Sequence, residues 1–127
     1  MGEEGLAASV VDTGALIAID RGDERLRRFL RSRLGPFIVP AAVLAQAWRD
    51  GRVQARLARF IAAAGTTIEV LDEASAKAIG VTLARSGTAD IVDASVVVTA
   101  RRYQALVLTS EPDDLLRIDP SLEFERV

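Results

Sequence analysis

The sequence of 127 residues contains no cysteine and no histidine. The absence of cysteine excludes disulfides, a thiol nucleophile and thiolate metal ligands. The absence of histidine excludes a Ser-His-Asp triad, an imidazole base and the usual zinc sites. Any metal would therefore be held by carboxylates, carbonyls and water, which are the ligands that Mg²⁺ and Mn²⁺ prefer.

Lysine is nearly absent too, because Lys77 is the only one and the other basic residues are arginines. The net charge of −2 argues against a broadly basic surface for nucleic acid. Arginine nevertheless binds phosphate through two parallel hydrogen bonds, although the base composition of a genome can also enrich it. Arg49, Arg52, Arg56 and Arg59 predict a basic stripe along one side of a helix, which is either a solvated face or a surface that guides phosphate or a partner.

Long apolar runs are missing: none reaches about 18 residues, so we expect no helix that crosses a membrane. Residues 1–5 are acidic and lack the basic region of a signal peptide, and the expected location is therefore cytoplasmic. The composition is 50% hydrophobic and 27% charged, as in globular proteins, and the length predicts one domain over residues 1–127.

Short apolar segments alternate with segments of helical periodicity along the sequence. Strands are predicted at residues 9–12, 37–39, 67–71 and 105–109, with a fifth at the sheet edge over 124–127. Among the helices between them, one has an apolar stripe that reaches Leu34, one has a stripe that begins at Val53, and one over 89–103 is apolar enough to be buried. The alternation predicts an α/β fold, a three-layer α/β/α sandwich with a central, mostly parallel sheet of four to five strands.

Carboxylates stand where such a fold keeps its binding site. Asp12 ends the first predicted strand, Asp90 and Asp93 open the apolar helix, and Glu111 follows the fourth strand. The carboxyl ends of parallel strands meet at one edge of the sheet, so we expect these acids to converge there. Two carboxylates about 4 Å apart repel by roughly 4 kcal/mol at an effective dielectric of about 20, and a divalent cation would offset that repulsion.

Each acid also has a purely structural explanation. Asp12 can cap a helix, and acids such as Asp90 and Asp93 in a first helical turn are favoured by the helix dipole. Asp93 is the harder case for that explanation, because a carboxylate that enters an apolar helix should be paired or metal-bound. Asp90 remains open between ligand and cap.

The acid after the fourth strand is less certain in identity. Glu111 is the first candidate, with Asp113 and Asp114 in reserve, and Ser110 or Asp113 can instead cap the short helix that follows. Gln46, on the third helix, is a weak metal ligand, but its amide can bond a bound water or a phosphate; otherwise it is a polar surface residue.

Three segments together resemble the PIN-domain family, and specifically the VapC-type toxins of toxin–antitoxin pairs. They are residues 11–17, residues 93–94 at the head of an apolar helix, and residues 106–110 followed by an acid. The resemblance covers nearly the whole sequence. It implies a PIN-like sandwich, a cluster of acids that binds Mg²⁺ or Mn²⁺, and endonucleolytic hydrolysis of RNA phosphodiester bonds.

The resemblance also implies site residues. Asp12 and Asp93 match the family's first and third acids, and Glu111 stands where the fourth acid follows a Thr-x pair. The family's second acid is a Glu, where this sequence has Gln46; that departure removes one negative charge, which Asp90 could replace. Asp12, Asp93 and Glu111 would then hold one or two ions.

The remaining implied roles concern positioning and partners. Gln46 or Thr13 would orient the attacking water, and Ser110 would bond phosphate. The family forms homodimers, and its VapB-type antitoxins place an Arg-bearing segment in the acidic site; residues 15–17 and the apolar side of residues 57–61 are where such contacts are expected.

Two other functions compete with an active nuclease. One is a catalytically weakened PIN domain, marked by Gln46, that acts as an RNA- or protein-binding module. The other is a different acidic enzyme, a phosphotransfer receiver or an aspartate-nucleophile phosphatase. Asp12 is single, where a receiver has a pair, and Gly14 replaces the second aspartate of the phosphatases.

Overall fold

The computed structural model describes residues 7–32 and 35–127. Five strands lie within these ranges: β1 (Ser9–Val11), β2 (Phe37–Pro40), β3 (Thr66–Glu69), β4 (Leu106–Thr109) and β5 (Phe124–Arg126). The helices are α1 (Thr13–Arg21), α2 (Glu24–Ser32), α3 (Ala41–Ala47), α4 (Ala55–Ala62), α5 (Glu73–Ser86), α6 (Ile91–Tyr103) and α7 (Pro112–Ile118). No helix in the described residues is long and apolar enough to cross a membrane.

The strands form one sheet in the order β3-β2-β1-β4-β5, and every neighbouring pair is parallel. The central strand β1 is completely buried, which explains its continuous apolar sequence. β5 lies at the edge, as predicted. The α/β/α sandwich with a five-stranded central sheet is therefore confirmed.

The strand order places the helices in two layers. β1, β2 and β3 follow one another in one direction, and the chain then crosses back over them to β4 and β5. Because such crossovers are right-handed, α1, α2 and α4 cover one face of the sheet and α5, α6 and α7 cover the other. The reversal leaves a crevice between the carboxyl ends of β1 and β4, where open α/β sheets bind their ligands.

The segment between α3 and α4 differs from the prediction. The side chain of Gln54 accepts hydrogen bonds from the backbone N–H groups of Arg49 and Asp50 and donates to the carbonyl of Ala47, and these bonds hold a turn there. Val53 is consequently 79% exposed in that turn instead of belonging to an apolar stripe. Arg49 and Arg52 also lie outside α4, so the predicted four-arginine stripe on one helix is wrong.

Three further expectations concern the end of β3, the partner contacts and the apolar stripe of α2. Strand β3 ends at Glu69, and the two apolar residues after it, Val70 and Leu71, are exposed. Ala15, Leu16 and Leu57 are fully buried in the core, so the partner contact expected near these segments could come only from Ile17, Phe60 and Ile61, which are partly exposed, and it stays a prediction. Leu34, at the end of the predicted α2 stripe, lies outside the described residues.

Candidate active site

Asp12 lies directly after β1, at the crevice between β1 and β4. Its backbone N–H donates to the carbonyl of Leu108 at 3.2 Å, and one carboxylate oxygen accepts from the N–H of Ala15 at 2.9 Å, which caps α1. The hydroxyl of Thr109 also hydrogen-bonds to this carboxylate. The capping explanation and the strand-end placement are thus both correct for the same residue.

The pKa of Asp12 is raised above its usual value. Burial is the main cause, the hydrogen bonds from Thr109 and Ala15 oppose it, and the charge of Glu111 adds to it. Only 9% of Asp12 is exposed. A carboxylate this buried, with one acidic neighbour and no cation paired with it among the described residues, is ready to bind a positive charge.

The hydroxyl of Thr109 joins the two strand ends. Thr109 is fully buried, and besides bonding Asp12 it accepts from the backbone N–H of Glu111 at 3.0 Å. The side chain of Glu111 is exposed at the start of α7. Ser110 turns toward α1, since a Cβ built on Gly14 would lie 2.8 Å from the Ser110 hydroxyl. Glycine at position 14 therefore lets β4 approach the beginning of α1.

Asp90 and Asp93 occupy the start of α6. The Asp90 carboxylate caps this helix by accepting from the Asp93 N–H at 2.9 Å. Asp93 is half-buried, and its pKa is raised to about 6, first by burial and then by the charges of Asp90, Asp114 and Asp12. Asp93 is therefore where the negative charges of three elements concentrate.

In the structure, Asp114 and Arg117 lie beside Asp90 and Asp93. Asp90 and Asp93 line an open pocket of about 210 Å³ together with Asp114 and Arg117 of α7. Asp114, a reserve candidate in the sequence, thus lies nearer Asp93, whereas Glu111 lies nearer Asp12; Asp113 does not line the pocket. Arg117, which the sequence did not single out, is the one cation among the described residues that line it, and its guanidinium is 3.4 Å from the Asp114 carboxylate.

Gln46 is tied to the same edge of the sheet. The hydroxyl of Thr13, the residue after Asp12, donates to the amide oxygen of Gln46 at 2.7 Å. Both side chains reach the surface. With its oxygen occupied, Gln46 presents its NH₂ group as a hydrogen-bond donor, which suits a phosphate oxygen or a water better than a metal ion.

The donor set fits a hard divalent cation in chemistry and charge. All the candidate ligands are carboxylates, and their repulsion adds to burial, the main cause, in raising the pKa of Asp93. Among residues 7–32 and 35–127, no three acidic side chains lie close enough together to form a ready-made metal site. The ligand roles of Asp12, Asp90, Asp93 and Glu111 therefore stay predictions.

Several solved structures share this fold. VapBC2 from Rickettsia felis, bound to a DNA fragment from their promoter, has a TM-score of 0.70 and 17% identity, over 94% of this chain and 98% of that one. The chain has the fold of the VapC toxins. A toxin–antitoxin complex from Klebsiella pneumoniae matches with a TM-score of 0.68 and 15% identity, over 84% of this chain and 89% of that one.

VapC20 from Mycobacterium tuberculosis, a Sarcin-Ricin loop cleaving toxin, has a TM-score of 0.62 and 21% identity, over 77% of this chain and 85% of that one. No protein-family profile and no curated protein matches the sequence. The PIN-like, VapC-type architecture expected from the sequence is confirmed at the level of the fold.

Proposed function

We propose that this protein is a metal-dependent endoribonuclease and the toxin component of a VapBC-type toxin–antitoxin pair. The observation that carries the proposal is the arrangement of Asp12, Asp90, Asp93 and Asp114 at one edge of the sheet, where burial first and then the charges of the other three acids raise the pKa of Asp93 to about 6. The shared fold with a Sarcin-Ricin loop cleaving toxin supports RNA as the substrate. The fold's occurrence in toxin–antitoxin complexes supports a VapB-type antitoxin as partner.

Asp12 and Asp93 are the principal ligands of the proposed site, with Glu111, Asp90 and Asp114 around them. A bound Mg²⁺ or Mn²⁺ would polarise the scissile phosphate, activate water and neutralise the charge of the transition state. The chain's own part is to hold Asp12 in place through Thr109 and Ala15, which leaves its carboxylate little freedom.

The polar residues at the rim complete the proposed mechanism. Gln46, oriented by Thr13, donates its NH₂ group to the attacking water or to phosphate. The Ser110 hydroxyl beside Gly14 is a second donor for phosphate. Arg117 supplies a positive charge at the pocket of Asp93, and the N–H groups of its guanidinium that are not directed at Asp114 can bind a phosphate oxygen. We further propose a cytoplasmic homodimer that is one domain over residues 1–127.

Cleavage of RNA tests the proposal directly. We expect the purified protein to cut structured RNA in the presence of Mn²⁺ or Mg²⁺ and to lose this activity when EDTA removes the metal. The measurement is the appearance of discrete fragments on a denaturing gel as a function of time. A protein that leaves structured RNA and ribosomal RNA intact at every metal concentration would contradict the proposal.

Gln46 distinguishes this proposal from a catalytically weakened module that only binds RNA or protein. Gln46→Glu keeps an acceptor for Thr13 and adds one negative charge. We expect a lower metal concentration at half-maximal cleavage and a change in kcat of less than about tenfold, the size of one modest electrostatic contribution. A gain of more than about a hundredfold in metal-dependent cleavage would instead favour the weakened module.

A further inference from the structure

The net charge of −2 conceals an uneven distribution. Ten of the fifteen arginines fall between residues 21 and 59, a stretch that contains only three acidic residues. The acids of the candidate site lie outside that stretch. The chain therefore carries a basic region and an acidic site side by side, and net charge alone gives no sign of the basic one.

Three of these arginines, from two helices, meet in one concavity. Arg27 of α2 and Arg56 and Arg59 of α4 line an open pocket of about 450 Å³ whose apolar floor is Ile19 of α1. Arg27 is partly neutralised, because its guanidinium lies 3.4 Å from the Glu24 carboxylate. Within the described residues, Arg56 and Arg59 have no hydrogen bond or ion pair. The pocket thus presents unpaired positive charge to solvent.

The side chain of Arg56 lies close to a glycine. Gly22 ends α1 with a φ of 72°, and a Cβ at that position would lie 2.7 Å from Nε and 2.8 Å from Cζ of Arg56. Glycine at this position therefore leaves room for the guanidinium beside the end of α1. A guanidinium can bind a phosphate through two parallel hydrogen bonds.

The geometry of α1 relates this pocket to the acidic site. Asp12 stands directly before the first residue of α1, and Gly22, next to Arg56, stands directly after its last. At 1.5 Å per residue, the nine residues of α1 separate the two by roughly 14 Å. Stacked nucleotides advance by about 3.4 Å along a strand, so this distance corresponds to about four nucleotides.

We propose that Arg27, Arg56 and Arg59 form an RNA-backbone site that binds phosphates about four nucleotides from the bond that is cut. This inference rests on the proposed ribonuclease function and adds to it a requirement on substrate length. Guanidinium groups over an apolar floor suit the alternating phosphates and bases of a single strand. The site contributes affinity and not chemistry, because it lies far from the reacting phosphate.

Binding, measured apart from cleavage, tests the proposal. In an Asp12→Asn background, fluorescence anisotropy gives the Kd of single-stranded RNA of about 12 nucleotides, a length within the usual site size, as a function of salt. For Arg56→Gln with Arg59→Gln we expect a Kd raised about tenfold or more at low salt. The slope of log K against log salt should fall by about 1.4, or ~0.7 for each lost phosphate contact.

Two comparisons make the result specific. Arg126→Gln removes one arginine charge from β5, the edge strand opposite β3, which α4 contacts, and should leave the slope unchanged. Equal slopes for the arginine double variant and the parent protein would overturn the proposal, and lost binding of polyglutamate at unchanged RNA affinity would assign the pocket to an acidic protein segment.

The two proposals fail separately. If the protein with its native Asp12 cuts RNA but the salt slopes do not differ, the arginine site is wrong and the nuclease stands. If it cuts no RNA but the slopes differ as expected, the arginine site stands without the nuclease. Circular dichroism of the arginine double variant identifies any loss of binding caused by misfolding.

Discussion

Replacement of Asp12 by asparagine should abolish metal-dependent RNA cleavage, with a fall in rate of at least about a thousandfold. The change removes the charge of the most buried carboxylate at the site but retains its shape and an oxygen that can accept the N–H of Ala15. Because the pKa of Asp12 is raised in the folded protein, loss of its charge should not weaken the fold. The measurements are the cleavage rate and the thermal midpoint of the same preparation.

Asp72→Asn is the matched control for this experiment. Asp72 caps α5 just as Asp12 caps α1, through an N–H three residues ahead, that of Ser75 at 2.9 Å. It is absent from the pocket of Asp93 and from the contacts of Asp12. If both variants cleaved RNA at the native rate, the activity would belong to a contaminant or to another site. If both lost it equally, a general effect of removing a capping carboxylate, and not the place of Asp12 in the site, would be the cause.

The parts of the site that the sequence predicted correctly are those determined by local patterns. Val10 and Val11 form an unbroken apolar pair before Asp12, and the four residues before Ser110 are a similar strand, so each strand end follows from the change in polarity. The parallel order of the strands then brings these ends together. The position of these strand-end residues at one edge of the sheet is therefore predictable from a single sequence.

Contacts between elements are not predictable in the same way. Which acid of α7 faces Asp93 depends on how that helix rotates, and Asp114 rather than Glu111 lies in its pocket. The pairing of Thr13 with Gln46 joins residues 33 positions apart, and no spacing rule predicts it. The sequence was thus enough to place the acidic site at the sheet edge, but which acidic residues lie next to Asp93 depends on how the helices pack.

The arrangement of the arginines was also not predictable from the sequence alone. Four arginines at helical spacing predicted a single stripe, yet Gln54 organises a turn that removes two of them from α4. The arginines that do share a pocket, Arg56, Arg59 and Arg27, come from helices that are distant in sequence. Helical spacing cannot reveal a cluster that only tertiary packing assembles.

Asp93→Asn should raise the stability of the metal-free protein while it abolishes cleavage. The pKa of Asp93 is about 6 in the folded protein against a model value of 3.8, so the fold disfavours its charged form. Between pH 4 and pH 6 the unfolded chain loses this proton first, and stability therefore falls as pH rises through that interval. After allowance for solvent screening at this half-buried group, the gain at pH 8 should be about 1 kcal/mol, or roughly 3–5 °C in thermal midpoint.

The pH and metal dependence separate this effect from an ordinary packing change. At about pH 3, below both pKa values, Asp93 is protonated in the folded and in the unfolded protein, so the stability of the native protein and of Asp93→Asn should coincide there. Mg²⁺ should raise the midpoint of the native protein at pH 8 and should raise that of Asp93→Asn less, because a ligand that binds only the folded state stabilises it in proportion to its affinity. A variant that is less stable than the native protein at pH 8 would mean that favourable contacts of the charged Asp93 outweigh the cost of its burial and of the neighbouring charges. The charge that would bind the metal is, in this view, the same charge that weakens the fold without it.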